Sequence, residues 1–161
     1  MGYSLIKLTP NTKAAEMVAG DVLFDSTEVV LPAHACKLVS VTIVDYEKKL
    51  TADDVAVLFH HDNAGGTFGA SGAAEALSVA NAVLNQPIAV VRCNSEAEGS
   101  FANFGVLNNN AGDSVEHSAQ SGPVILSKDK SDDKLFVMAR VVSISTAGTM
   151  GGTNADGGDL A

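Results

Sequence analysis

Short apolar runs rich in valine and isoleucine, separated by polar or glycine-rich turns, are the feature of this sequence that most restricts its fold. In residues 37–45, valine and isoleucine alternate with serine and threonine, the period-two pattern of a strand with one buried face. Residues 135–144 are apolar on both faces, which predicts a central strand. Further strands are predicted within residues 3–8, 21–30, 55–60, 87–93 and 123–127.

One segment has helical periodicity instead. Its apolar residues recur at spacings of three and four: Ala73, Leu77, Ala80 and Leu84. Ser71 is a candidate N-cap, and Pro87 follows the end of the segment. A shorter helical turn is predicted over residues 12–19, with Gly20 as its stop.

The strands follow one another without the regular βαβ alternation of a parallel sheet, so the expected fold is mainly β. It is an antiparallel β-sandwich or open barrel with one inserted short helix at about residues 72–85. A chain of 161 residues is long enough for one core. We predict an N-terminal arm with a short helical turn over residues 1–20 and a β-domain over 21–145. Residues 146–161 are predicted to be a glycine-rich extended or flexible tail.

The charge balance restricts the partners. Ten basic and 19 acidic residues give a net charge of −9, with no Lys/Arg run, so we expect no nucleic-acid and no membrane partner. Residues 76–91 are free of charge but too short and polar to span a bilayer. The absence of tryptophan and an aromatic content of 5% disfavour a sugar- or base-stacking platform.

The compartment is expected to be reducing. Residues 1–10 lack a basic region followed by an apolar core, so we expect no signal peptide. Cys36 and Cys93 each adjoin an apolar run, where a buried free thiol is the default, although a single bridge between them stays open.

No motif predicts catalysis or cofactor binding. His60 and His61 are neighbours on a strand and therefore point to opposite faces, so they cannot easily share one metal ion. Residues 69–73 resemble a nucleophile elbow around Ser71, but Ala73 stands where the motif requires glycine. The acidic pairs lie in polar, turn-rich segments. We therefore expect no enzyme activity, no catalytic residue, no metal and no cofactor.

The beginning of the chain is suited to interaction. Tyr3, Leu5, Ile6 and Leu8 form an apolar arm before Pro10, and we predict that these four residues bind a partner. Such an arm can pair with its own sheet or add a strand to a neighbouring molecule.

A resemblance to a known family rests on the order of the strands. Residues 21–28 are followed by Lys-Leu-Val-Ser-Val-Thr-Ile at 37–43, by an acidic turn, and by an apolar strand ending in Phe59; residues 123–127 fit the same plan. This order resembles small virion structural proteins of tailed bacteriophages, especially those that infect cyanobacteria. The resemblance implies a head-decoration (cement) protein, and it carries over no catalytic residues.

What the resemblance implies for partners and place follows from that role. The partners would be the major capsid protein and the protein itself, as a dimer or trimer, with the protein on the capsid exterior after assembly in the host cytoplasm. Three alternatives stay open: a tail, neck or fibre-associated virion protein; a carbohydrate-binding β-sandwich module; and an enzyme that uses the carboxylates.

Overall fold

The computed structural model describes residues 4–10, 12, 15–45, 52–61, 68–69, 71–72, 87–94, 105–108, 125–129, 133–144 and 148–150. These residues form strands and no helix, and the mainly β prediction is confirmed. The strands are β1 (Ala15–Met17), β2 (Val22–Glu28), β3 (Ala35–Lys37), β4 (Thr42–Asp45), β5 (Ala52–His60), β6 (Pro87–Asn94), β7 (Gly105–Asn108), β8 (Ile125–Ser127), β9 (Phe136–Ile144) and β10 (Gly148–Met150).

All strand pairs are antiparallel, as predicted. Six strands form one sheet in the order β2-β9-β5-β6-β7-β4, and two ribbons, β1-β10 and β3-β8, contain two strands each. β9 lies between β2 and β5, and both of its faces are buried, as Val137 and Met138 illustrate. The central position predicted for residues 135–144 is therefore confirmed.

The two faces of the six-stranded sheet bury different sets of residues. One face forms the main core, to which β5 contributes Val55, Val57 and Phe59. The ribbon β3-β8 adds to this core, because Leu126 is buried in it and Cys36, its register partner, packs against it. The opposite face, which we call the second face, carries a smaller apolar cluster of four residues: Val22, Leu58, Phe68 and Met138.

The prediction of one strand over residues 37–45 is wrong. β3 ends at Lys37 and pairs with β8, whereas β4 begins at Thr42 and pairs with β7. Between them Val39 is 61% exposed. Most of the alternating residues lie in the connection over residues 38–41, where the chain leaves the ribbon and joins the edge of the six-stranded sheet.

The helical turn predicted over residues 12–19 is also wrong, because Ala15–Met17 form strand β1. β1 pairs in register with β10, so its backbone groups are satisfied by a distant segment. An isolated turn of helix is marginal in water, and pairing with a distant strand therefore prevails over it. The helix predicted at about residues 72–85 lies, apart from residue 72, outside the described residues.

The sequence predicted no strand at the positions of β7 and β10. β7 follows no clear alternation, and β10 lies in the segment predicted to be an extended tail. β10 pairs with β1, so residues 15–17 and 148–150 form one ribbon.

Candidate functional site

The apolar arm, defined here as residues 4–10, has no regular secondary structure. Leu5 is 96% exposed and Ile6 is 38% exposed, whereas Leu8 packs against the main core. Pro10 is buried. The arm is therefore attached to its own body near Leu8 and Pro10, and its outer part is exposed to solvent.

The predicted binding residues thus fall into different positions. Tyr3 lies outside the described residues. Leu5 and Ile6 are at the exposed part of the arm, and Leu8 is an anchor on the body. The strand predicted over residues 3–8 does not form in its described part, residues 4–8. The arm was predicted either to pair with its own sheet or to add a strand to a neighbouring molecule. Residues 4–8 do not pair with their own sheet.

Hydrogen bonds hold the chain that follows β1 to the body. The Asp21 carboxylate accepts a hydrogen bond of 2.9 Å from the Val18 backbone N–H. The Gly20 N–H donates to the Val141 carbonyl at 2.8 Å, and the Val141 N–H donates to the Asp21 carbonyl at 2.8 Å. Gly20 has a φ of +97°, a conformation that favours glycine and turns the chain from β1 into β2. These bonds fix where the ribbon leaves the body.

His60, at the end of β5, is fully buried on the second face. Its Nε2 atom lies 2.9 Å from the Ser26 hydroxyl. Its ring stacks on Phe136 at a centroid distance of 5.6 Å and meets Phe68 edge-on at 4.9 Å. These contacts pack the imidazole into the protein interior, where it stabilises the fold.

His61 is directed elsewhere, as the alternation predicted. Its Nε2 lies 2.8 Å from the backbone carbonyl oxygen of Ser127 and 3.3 Å from the Ser127 hydroxyl. Its Nδ1 lies 3.9 Å from an oxygen of Asp129. His61 therefore ties the end of β5 to the ribbon strand β8 and to the loop that follows it.

An acid, a histidine and a serine lie side by side here, as in a nucleophilic triad: Asp129, His61 and Ser127. Their hydrogen bonds contradict that role. A carbonyl oxygen only accepts hydrogen bonds, so Nε2 of His61 must carry the proton that it donates to Ser127 O. A general base for the Ser127 hydroxyl would need an unprotonated Nε2. His61 therefore has a structural role, which is to connect β5 with the ribbon strand β8.

Ser71, the residue at the centre of the elbow-like motif, also has a structural contact. Its hydroxyl donates a hydrogen bond of 2.7 Å to the Leu23 carbonyl oxygen, and the Gly72 N–H donates to the Val22 carbonyl at 2.8 Å. Together with the buried ring of Phe68, which clusters with Val22, these bonds hold Ser71 and Gly72 against β2.

The thiols of the described chain are both free. Cys93 is buried in the main core, and burial raises the pKa of its thiol from 9.0 to about 12. A thiol with so high a pKa is almost entirely protonated at neutral pH, so it is a poor nucleophile and metal ligand. Cys36 is half-buried at the ribbon. The prediction of free thiols is confirmed, and that of burial holds fully for Cys93 alone.

Candidate metal ligands do not converge in the part of the chain that the structure describes: no group of three His, Cys, Asp or Glu side chains could hold an ion. The His34 Nδ1 lies 3.8 Å from a carboxylate oxygen of Asp133, and the His61 Nδ1 lies 3.9 Å from one of Asp129. Nor do the described residues include a helix with the length and hydropathy of a bilayer span.

Two arginines are aligned in a row across the sheet, which the sequence did not predict. Arg92 and Arg140, the two arginines of the chain, are both register partners of Ala56, one from each neighbouring strand. Because Val55 and Val57 belong to the main core, Ala56 and its two partners lie on the second face. Sequence alone gave no signal for this row, since only the strand pairing aligns the three residues.

Comparison with known proteins leaves the family open: no family model, no curated protein and no solved structure matches this chain. The resemblance to phage virion proteins therefore remains a prediction.

Proposed function

We propose that this chain is a non-enzymatic structural protein of a phage particle, which binds to the outside of the capsid and connects neighbouring capsid subunits through its arm. Its partners are the major capsid protein and further copies of itself. This proposal combines the sequence resemblance with the position of the arm.

The observation that supports it is the 96% exposure of Leu5 on an arm anchored by Leu8 and Pro10. Burying one large aliphatic side chain against a partner contributes about 1.5–3 kcal/mol. Leu5 and Ile6 alone therefore give weak binding. Many identical subunits bound to one shell would multiply this small contribution through multivalency.

The net charge of −9 fits this role in two ways. It keeps the unbound subunit soluble despite an exposed leucine. It also makes copies of the chain repel one another in solution, so that close packing depends on a shell that supplies compensating contacts. We therefore expect attachment to the capsid to depend on ionic strength.

The polar clusters of the described residues support a non-enzymatic role through what they already do. His60 is packed between two aromatic rings, and His61 joins β5 to β8. Ser71 and Gly72 secure a segment to β2. Each of these contacts stabilises the fold without a substrate.

The test is attachment to purified particles. Chains lacking residues 1–9 and chains carrying Leu5→Ser should co-sediment with undecorated capsids much less than the unmodified chain does. Val39→Ser is the matched control, because Val39 is an exposed aliphatic residue of the body. Equal attachment of all four proteins would contradict the role of the arm.

Stoichiometry tests the wider proposal. Quantitative mass spectrometry of particles should find the chain at a copy number comparable to that of the major capsid protein. A few copies per particle would indicate a tail, neck or fibre component instead, and absence from particles would refute a virion role.

A further inference from the structure

We draw no further inference here: the strongest candidate, the row of Arg92, Ala56 and Arg140 on the second face of the six-stranded sheet, carries none, because both arginines already interact with other groups of the protein and nothing in the structure points to a ligand that the pair would bind.

Discussion

The Nε2 atom of His60 and the Oγ atom of Ser26 are 2.9 Å apart, and they connect two strands that are not neighbours. His60 ends β5, Ser26 lies in β2, and β9 runs between these strands. The imidazole reaches over Phe136 of β9, on which it stacks, and so spans two strand spacings, or about 10 Å. One buried side chain thus joins three strands of the sheet.

Ser26→Ala removes this connection. Loss of a hydrogen bond to a buried group should lower the free energy of unfolding by about 1–2 kcal/mol, as measured by urea denaturation. Ser40→Ala, at an exposed serine between β3 and β4, is the control and should change it by less than about 0.5 kcal/mol. Equal stability of the two variants would show that the hydroxyl of Ser26 contributes nothing to the sheet.

Cys93 should make stability depend on alkaline pH. Because burial raises the pKa of Cys93 to about 12, the unfolded chain releases this proton at lower pH than the folded chain. The contribution to stability is therefore complete below pH 9 and is lost as the pH rises towards 12, by about 1.4 kcal/mol for each pH unit. Urea denaturation at several pH values measures the slope.

Comparison of variants isolates the contribution of this thiol from other groups that titrate at alkaline pH. Cys93→Ala should have a smaller slope than the unmodified chain, whereas Cys36→Ala should keep it. In the native protein at neutral pH, a thiol reagent should label Cys36 and spare Cys93 until the chain unfolds. Identical slopes for the two variants would contradict the assignment.

Substitutions in the outer and the anchored parts of the arm should affect the stability of the protein differently. Leu5 is exposed, so Leu5→Ser should leave the free energy of unfolding within about 0.5 kcal/mol of its original value. Leu8 packs against the main core, so Leu8→Ser should lower it by about 1 kcal/mol. Thermal denaturation of both variants measures the difference. A destabilising Leu5→Ser would mean that the outer part of the arm is bound to its own body.

Asp133 adopts a left-handed backbone conformation, with a φ of 59°. Alanine is disfavoured there by roughly 1 kcal/mol, whereas asparagine tolerates the conformation. Asp133→Ala should therefore destabilise the protein by about that amount, while Asp133→Asn should be nearly neutral.

The ion pair of Asp133 is a minor factor in this comparison. The Lys128 Nζ lies 3.2 Å from the carboxylate, but the aspartate side chain is 70% exposed, and exposed pairs contribute little. Both variants lose this pair, so the difference between them reports the backbone conformation. If alanine and asparagine destabilise equally, the charge and not the backbone is what Asp133 provides.

The sequence predicted strands correctly where one patterned segment forms one strand of one sheet. The alternation of Val55, Val57 and Phe59 predicted which residues of β5 enter the main core. The two-faced apolar character of residues 135–144 predicted the central position of β9, because a strand between two neighbours is covered on both sides. The opposite directions of His60 and His61 followed from the geometry of a strand alone.

Predictions from local patterns were wrong where contacts with distant segments determine the strand pairing. Residues 37–45 were predicted as one strand from the alternation over 39–43, but β3 and β4 are separate strands that pair with different partners. A helical turn was predicted over residues 12–19, but β1 forms there and pairs with β10. The row formed by Arg92, Ala56 and Arg140 exists only because of strand register.

The sequence by itself therefore determined the class of the fold, the identity of most core strands and the apolar character of the arm. These properties depend on the order of polar and apolar side chains along a short segment, which is local information. The tertiary structure alone decided which strands are neighbours, where His60 is buried, and that Leu5 is exposed while Leu8 is packed. Those outcomes depend on contacts between residues far apart in the chain, and the local pattern of side chains carries no information about such contacts.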